Sequence, residues 1–327
     1  MAQDLTRRRF TLSAAAALAA THLPAQDVNA RRSVATMDHD NILAAAATAL
    51  TVQPKSTLDV SASVAALTAA FVLTQEERYA LSAFTQITDW LPAPISQSHT
   101  PPEVLELVPI AELARATSFL VDAVHTDPVD AWLADLLQWL TTAHAPVLAR
   151  DTKDHRASAW LFITSAVARS QRNDAVLDDC RKRLRKPTLR NQIDETGKFP
   201  QEMASANPFR NTLFTFDLLC GACQILDSPL DPLWTFELID GVSLRTSAAW
   251  LFPILQDPRK WPGVSDAEHF RELPSRRSGL LFAGRAYDRP EYVELWRTTP
   301  PAIPADIAAS VPIRQPILWT TRARHGF

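Results

Sequence analysis

Two short stretches hold most of the side chains that could do chemistry. The first is Lys153-Asp154-His155-Arg156, followed by Trp160. A histidine exchanges a proton near neutral pH with little tuning. A neighbouring aspartate can orient it or raise its pKa, and a tryptophan gives a flat surface for a sugar ring. The residues before Asp154 are poor helix formers, so His155 and Arg156 should lie in the first turn of a helix, beside a loop. The competing reading is structural: Asp154 as an N-cap and Arg156 as a solvated charge.

The second stretch runs from Gly197 through Glu202, Ser205, Asn207, Arg210 and Asn211 into Thr212-Leu213-Phe214. It is an irregular polar segment ahead of an apolar helix. Asn211 or Thr212 is the expected N-cap, which would fix Arg210 just outside the helix. Glu202 is the expected partner of a nearby arginine. Polar loop residues held by a rigid frame make good sites, although a capping network with a surface ion pair would look the same. Arg277, in Pro274-Ser275-Arg276-Arg277-Ser278, is a further candidate for binding an anionic substrate. Its structural alternative is an arginine packed on an aromatic ring.

The frame for these residues is helical. Period-3.6 patterns cover residues 41–52, 61–73, 74–90, 103–124, 129–143, 156–172, 174–185, 212–226, 243–255 and 290–297. Thr74 is read as the N-cap of the third of these, ahead of three polar residues. No stretch shows sustained strand alternation. The repeating unit is a helix pair with short loops, which stacks into either an open solenoid or a closed toroid. A toroid gathers loops and helix ends around one cleft, a shape suited to a polysaccharide.

Composition narrows the function. Hydrophobic residues make up 46% of the 327 and charged residues 21%, ordinary for a globular chain. Only 7 residues are glycine, and neither glycine-rich nucleotide motif is present. The formal net charge of −3 argues against nucleic acid as a partner. Of 33 basic residues only 6 are lysine, and the arginine fork suits bidentate carboxylate binding. Cys220-Gly221-Ala222-Cys223 has redox-motif spacing but sits in an apolar helix pattern, so core packing is expected. No Cys/His cluster has zinc spacing, and no metal or other cofactor is expected.

The N-terminus reads as an address. Arg7-Arg8 precedes Phe10 and the weakly apolar Ala14–Ala20 run, which fits a twin-arginine export signal. Cleavage is expected near Ala25, giving a leader over residues 1–25, a linker and first helix over 26–60, and one helical domain over 61–327. No further long apolar run is expected. The mature protein should be a periplasmic or secreted monomer that stays off the membrane.

Taken in order, several segments resemble the alginate lyase superfamily of all-helical polysaccharide lyases. They are the Ala66 to Ala80 helix pair, Lys153-Asp154-His155 with Trp160, and Phe199-Pro200-Gln201-Glu202-Met203-Ala204. Leu233-Trp234 with Asp240-Gly241, Lys260-Trp261-Pro262, Leu281 to Gly284 with Tyr287 and Tyr292, and Pro312 to Pro316 complete the series. The resemblance implies an all-α fold, an incomplete (α/α) toroid. It also implies β-elimination in an acidic, uronate-containing polysaccharide, catalysed by an Asn/His pair, an arginine and a tyrosine. His155 stands at the family histidine and Asp154 at the asparagine. Ser205 stands at the arginine, and Asn211 at the tyrosine. The expected catalytic set is therefore His155 as base, Asp154 to orient it, Arg210 to replace the missing positive charge, and Asn211. Trp160, Arg156, Glu202 and Arg277 are the expected substrate-binding residues. Two alternatives remain: a non-catalytic uronan-binding protein on a degenerate lyase toroid, and a glycoside hydrolase using carboxylates such as Asp154 and Glu202.

Overall fold

Helix ends are written plainly into this chain. A computed structural model describes residues 33–121, 123–266 and 268–323. The longer helices among them are α1 (His39–Ala49), α2 (Thr57–Thr74), α3 (Glu77–Trp90), α4 (Val108–Leu120), α5 (Asp127–Thr142) and α6 (His144–Arg150). They continue with α7 (His155–Ser170), α8 (Asp174–Arg183), α9 (Pro208–Leu226), α10 (Leu244–Gln256), α11 (Ser278–Ala286) and α12 (Pro290–Thr298). Ser56 caps α2 by accepting the Asp59 N–H, and Ser243 caps α10 by accepting the Thr246 N–H, so side-chain oxygens satisfy donors the helix leaves unpaired. Helix α2 stops at Gln75, whose φ of 61° places it in the left-handed region. Thr74 is thus the last residue of α2 rather than the cap of α3.

The helices form two layers. Helices α2, α4, α7, α9 and α11 make the inner layer: α2 packs on α4, α4 on α7, α7 on α9 and α9 on α11. Their buried residues run around the whole circumference, from Ala157 to Ala168 in α7 and from Thr212 to Cys223 in α9. Helices α1, α3, α5, α8, α10 and α12 lie outside, and each contacts inner helices. The one-turn helix Ile317–Thr320 packs against α2, α4 and α9. Among the described residues no strand interrupts this arrangement, an all-α incomplete toroid of helix hairpins.

Helices α7 and α9 run parallel. The ring of His155 at the start of α7 meets that of Phe214 near the start of α9, edge to face at 6.3 Å. Near the other ends, Arg169 of α7 donates to the Ile225 carbonyl of α9. The N-termini of these two helices therefore lie together at one end of the layer and their C-termini at the other.

Two further expectations need correction. Helix α2 is long and apolar enough to cross a membrane by length and composition, so a second long apolar run does exist. It lies between α1, α3 and α4, and its residues from Val64 to Leu67 are buried. Helix α9 begins at Pro208 rather than at residue 212, because proline at the first helical position loses no hydrogen bond. Cys220 and Cys223 are buried in α9, as their setting implied, and burial pushes both thiols well above their ordinary range.

Candidate functional site

Asp154 is a helix cap. Its backbone is extended, and Oδ1 accepts the Arg156 N–H at 3.0 Å. The same carboxylate accepts Thr152 Oγ1 at 2.9 Å and takes the Arg156 guanidinium on both oxygens. Burial works to raise its pKa, but the Arg156 side chain, the Arg156 amide and Thr152 outweigh it, and the group sits at about 2. Gln192 fixes the backbone from behind: its Nε2 donates to the Asp154 carbonyl at 3.1 Å, and Ser158 Oγ donates to its Oε1.

His155 is the first residue of α7, and its partner is Glu202. Glu202 Oε2 lies 2.9 Å from ring Nδ1, and Oε1 accepts the His155 backbone N–H. An ionised carboxylate can only accept, so the hydrogen bonding assigns the neutral ring's proton to Nδ1. Nε2 is then left with its lone pair. Burial acts to lower the His155 pKa, yet the hydrogen bond and charge of Glu202, with the charge of Asp154, leave it raised.

Glu202 is delivered by the one-turn helix Pro200–Met203. The loop before it is pinned at Gly197, whose φ is +83°; a Cβ there would lie 2.4 Å from the Thr246 carbonyl oxygen. Only glycine combines that backbone with that approach. The Asp194 carboxylate accepts the amides of Thr196 and Lys198 across the same turn, and Phe199 is fully buried behind it.

Ser205 and Asn211 join the cluster through hydrogen bonds. Ser205 Oγ donates to the Glu202 carbonyl at 2.6 Å and accepts Asn211 Nδ2 at 3.0 Å. Arg210 is the third residue of α9. Asp266 accepts the Phe209 and Arg210 amides at 2.9 and 2.8 Å, which caps the helix from a distant loop. The Arg210 Nε is buried without a partner, and Arg210 forms no ion pair among the described residues.

Several sequence expectations are overturned. Asp154 does not orient the imidazole; its oxygens serve Arg156, Thr152 and the helix cap. Glu202 binds His155, not an arginine, and at 2% exposure it cannot touch a polymer. Trp160 is 2% exposed; its Nε1 donates to the Leu140 carbonyl, and Arg150 and Arg183 cover its ring. It is a core residue rather than a sugar platform. Arg277 is also buried, paired with Asp217 at 3.2 Å and donating to the Ser310 and Leu273 carbonyls. Arg156 remains half-exposed beside His155. Asn211 is not a cap but lies inside α9.

Sequence reasoning missed Gln192 and Asp266. Each acts on a backbone group more than thirty residues away, so no local pattern marks them. The three tyrosines lie elsewhere: Tyr79 against Arg78, Tyr287 against Trp234, and Tyr292 against Phe252. Among the described residues, no group of three or more His, Cys, Asp or Glu side chains could hold a metal.

A sequence model of alginate lyases matches residues 53–261, a stretch that includes Asp154, His155, Glu202, Ser205, Arg210 and Asn211. The chain belongs to the alginate lyase family. Family membership implies a polysaccharide substrate. The fold is also similar to that of an alginate lyase from Bacteroides ovatus, known from its crystal structure. The two superimpose with a TM-score of 0.70 over 88% of this chain and 94% of that one, at 15% identity. Comparison with curated protein sequences gives no match.

Proposed function

We propose that this protein is a polysaccharide lyase that cleaves a uronate-containing polymer by β-elimination, with His155 as the base. The observation that carries this reading is the Glu202–His155 pair. A buried carboxylate holds Nδ1–H and so leaves Nε2 as the proton acceptor of a side chain that is 20% exposed. Nε2 takes the proton from C5 of the uronate. The C4=C5 double bond forms as the C4–O4 bond breaks. The imidazolium, held by Glu202, returns the proton to the departing O4. This is general acid–base catalysis by one side chain.

Negative charge grows on the uronate carboxylate as C5 loses its proton. Arg210 and the Asn211 amide are the donors available for it, in place of the family arginine and tyrosine. Arg156 neutralises Asp154, which removes the repulsion an unpaired aspartate would exert on a uronate. Glycoside hydrolysis fits less well, because both carboxylates it would use are engaged, Glu202 by His155 and Asp154 by Arg156. The non-catalytic alternative rests on the replaced arginine and tyrosine.

Export through the twin-arginine pathway to the periplasm or beyond belongs to the same proposal. The leader lies outside the described residues, and Arg7→Lys with Arg8→Lys should trap the precursor in the cytoplasm.

Ultraviolet absorbance of the unsaturated product, followed across a panel of uronans, tests the activity. Wild type should cleave at least one, and His155→Ala should abolish that cleavage while retaining the helical circular dichroism of the wild type. Equal turnover by both proteins would remove His155 from the mechanism. Binding without cleavage by wild type would favour the non-catalytic reading.

A further inference from the structure

At the opposite end of the inner layer lies a cavity of about 620 Å3 lined by Arg115, Arg169, Arg181 and Arg322, with Asp227 the one carboxylate among its lining residues. Arg169 follows His155 by fourteen residues on α7, which places it about 21 Å along the helix axis from the His155 site. The volume is within the range of about 300–1,000 Å3 usual for small-molecule sites.

Charge in this cavity is unbalanced. Arg181 pairs with exposed Asp178, but among the described residues Arg115, Arg169 and Arg322 have no ion-pair partner. Asp227 can offset only one of these charges; its Oδ1 accepts the Leu233 and Trp234 amides, and among the described residues it forms no ion pair with a cavity arginine. Arg115 is 9% exposed, with its Nε buried and unpartnered. Burial lowers its guanidinium to about 10, and the like charge of Arg169 acts in the same direction. Burial and the charge of Arg181 likewise lower Arg169, against a smaller opposing effect of the Asp174 charge.

Helix capping explains only part of this. Arg169 donates to the Ile225 carbonyl and Arg181 to the Leu226 carbonyl, which suits cations at the C-terminal end of α9. Arg115 donates to the Leu318 carbonyl. These bonds use few of the five donors on each guanidinium. Gathering like charges in a partly desolvated cavity costs free energy unless an anion offsets it.

We propose that this cavity binds a small oxyanion ligand: a carboxylate, phosphate or sulfate group, free or carried on a molecule of sugar size. Planar guanidinium forks match such groups bidentately. The site is independent of whether His155 catalyses elimination.

Isothermal calorimetry at constant ionic strength, with inorganic phosphate, inorganic sulfate and glucuronate as separate probes, tests the proposal. At least one probe should bind wild type saturably at one site, and Arg169→Gln should weaken it tenfold or more. Arg115→Gln should do the same; if that variant does not fold, the partly exposed Arg169 alone decides. His155→Ala should leave this binding unchanged, which separates the cavity from the lyase site. Glucuronate binding that Arg169→Gln weakens, with no phosphate or sulfate binding, assigns a sugar carboxylate to the cavity, and binding of phosphate or sulfate alone assigns the inorganic oxyanion. The proposal is overturned by no saturable binding of any probe, by unaltered binding in Arg169→Gln, or by binding that His155→Ala abolishes.

Discussion

Glu202 binds His155 twice, through the backbone N–H and through ring Nδ1, although the two residues stand 47 positions apart. One buried carboxylate thereby fixes both the start of α7 and the direction of the imidazole. The site histidine is positioned by a residue on another element, delivered through a loop that Gly197 holds against Thr246.

With His155 as the proposed base, this pairing predicts the pH dependence. Glu202 and Asp154 leave the His155 pKa above its ordinary 6.5, and a base must be neutral to accept a proton. The acidic limb of kcat/KM should therefore titrate above 6.5, with activity rising as pH increases through it. Glu202→Gln keeps an oxygen for the backbone N–H but removes the charge. The acidic limb should then move to lower pH, and turnover should fall by about 10²-fold as the tautomer and orientation are lost. An unmoved limb in Glu202→Gln would detach Glu202 from the chemistry. The same shift has a stability consequence. The folded-state pKa lies above the unfolded one, so this contribution is fully present below about 6.5 and is lost as pH rises through the folded value.

Asp154 should matter for folding more than for chemistry. Its depressed pKa contributes stability above the unfolded value of 3.8 that disappears as pH falls towards about 2. Asp154→Ala removes the α7 cap and should cost about 1 kcal/mol in urea unfolding. Asp154→Asn retains capping ability and should cost less than half of that. A loss of activity in Asp154→Asn as large as that in His155→Ala would show that the carboxylate acts in the reaction.

How far the sequence led depends on the range of each interaction. Helix positions were legible because burial repeats every three or four residues, and the Asp154 cap because its bonds reach only two residues along. The pairing of His155 with Glu202 was not, since an acid and a histidine in separate stretches have many possible partners. The boundary of α9 was misplaced because Asp266, 57 residues from Phe209, supplies the cap that local reading sought at Asn211 or Thr212. Trp160 and Arg277 misled for one reason: residue type suggests a ligand, but only the packed fold shows which aromatic or arginine is buried.

Trp160 provides a sharp contrast with a sugar platform. Its ring fills the core beside α5, and its Nε1 holds the Leu140 carbonyl. Trp160→Ala should destabilise the fold by about 3–5 kcal/mol. Trp160→Phe keeps most of the apolar volume but leaves that carbonyl unpartnered, so it should cost about 1–3 kcal/mol. In Trp160→Phe the KM for any cleaved uronan should stay at the wild-type value. A rise in KM with unchanged stability would restore the platform role.

Arg210 is the first candidate for the positive charge that the proposed elimination requires. Its backbone is held by Asp266 in the first turn of α9, and its Nε is buried without a partner. Since α9 starts at Pro208, Arg210 projects from a helix rather than from the loop ahead of it, and its anchor is firmer than a loop would give. If it meets the uronate carboxylate, Arg210→Ala removes a charged hydrogen bond worth about 1.5–3 kcal/mol, a fall in kcat/KM of roughly 10- to 150-fold. Arg210→Lys keeps the charge without the planar fork and should recover part of that loss. The split between the constants is informative. Stabilisation confined to the growing charge appears in kcat, whereas equal binding of substrate and transition state appears in KM. If Arg210→Ala matches wild type in both constants and in thermal stability, the charge comes from elsewhere, and half-exposed Arg156 is the next arginine to replace.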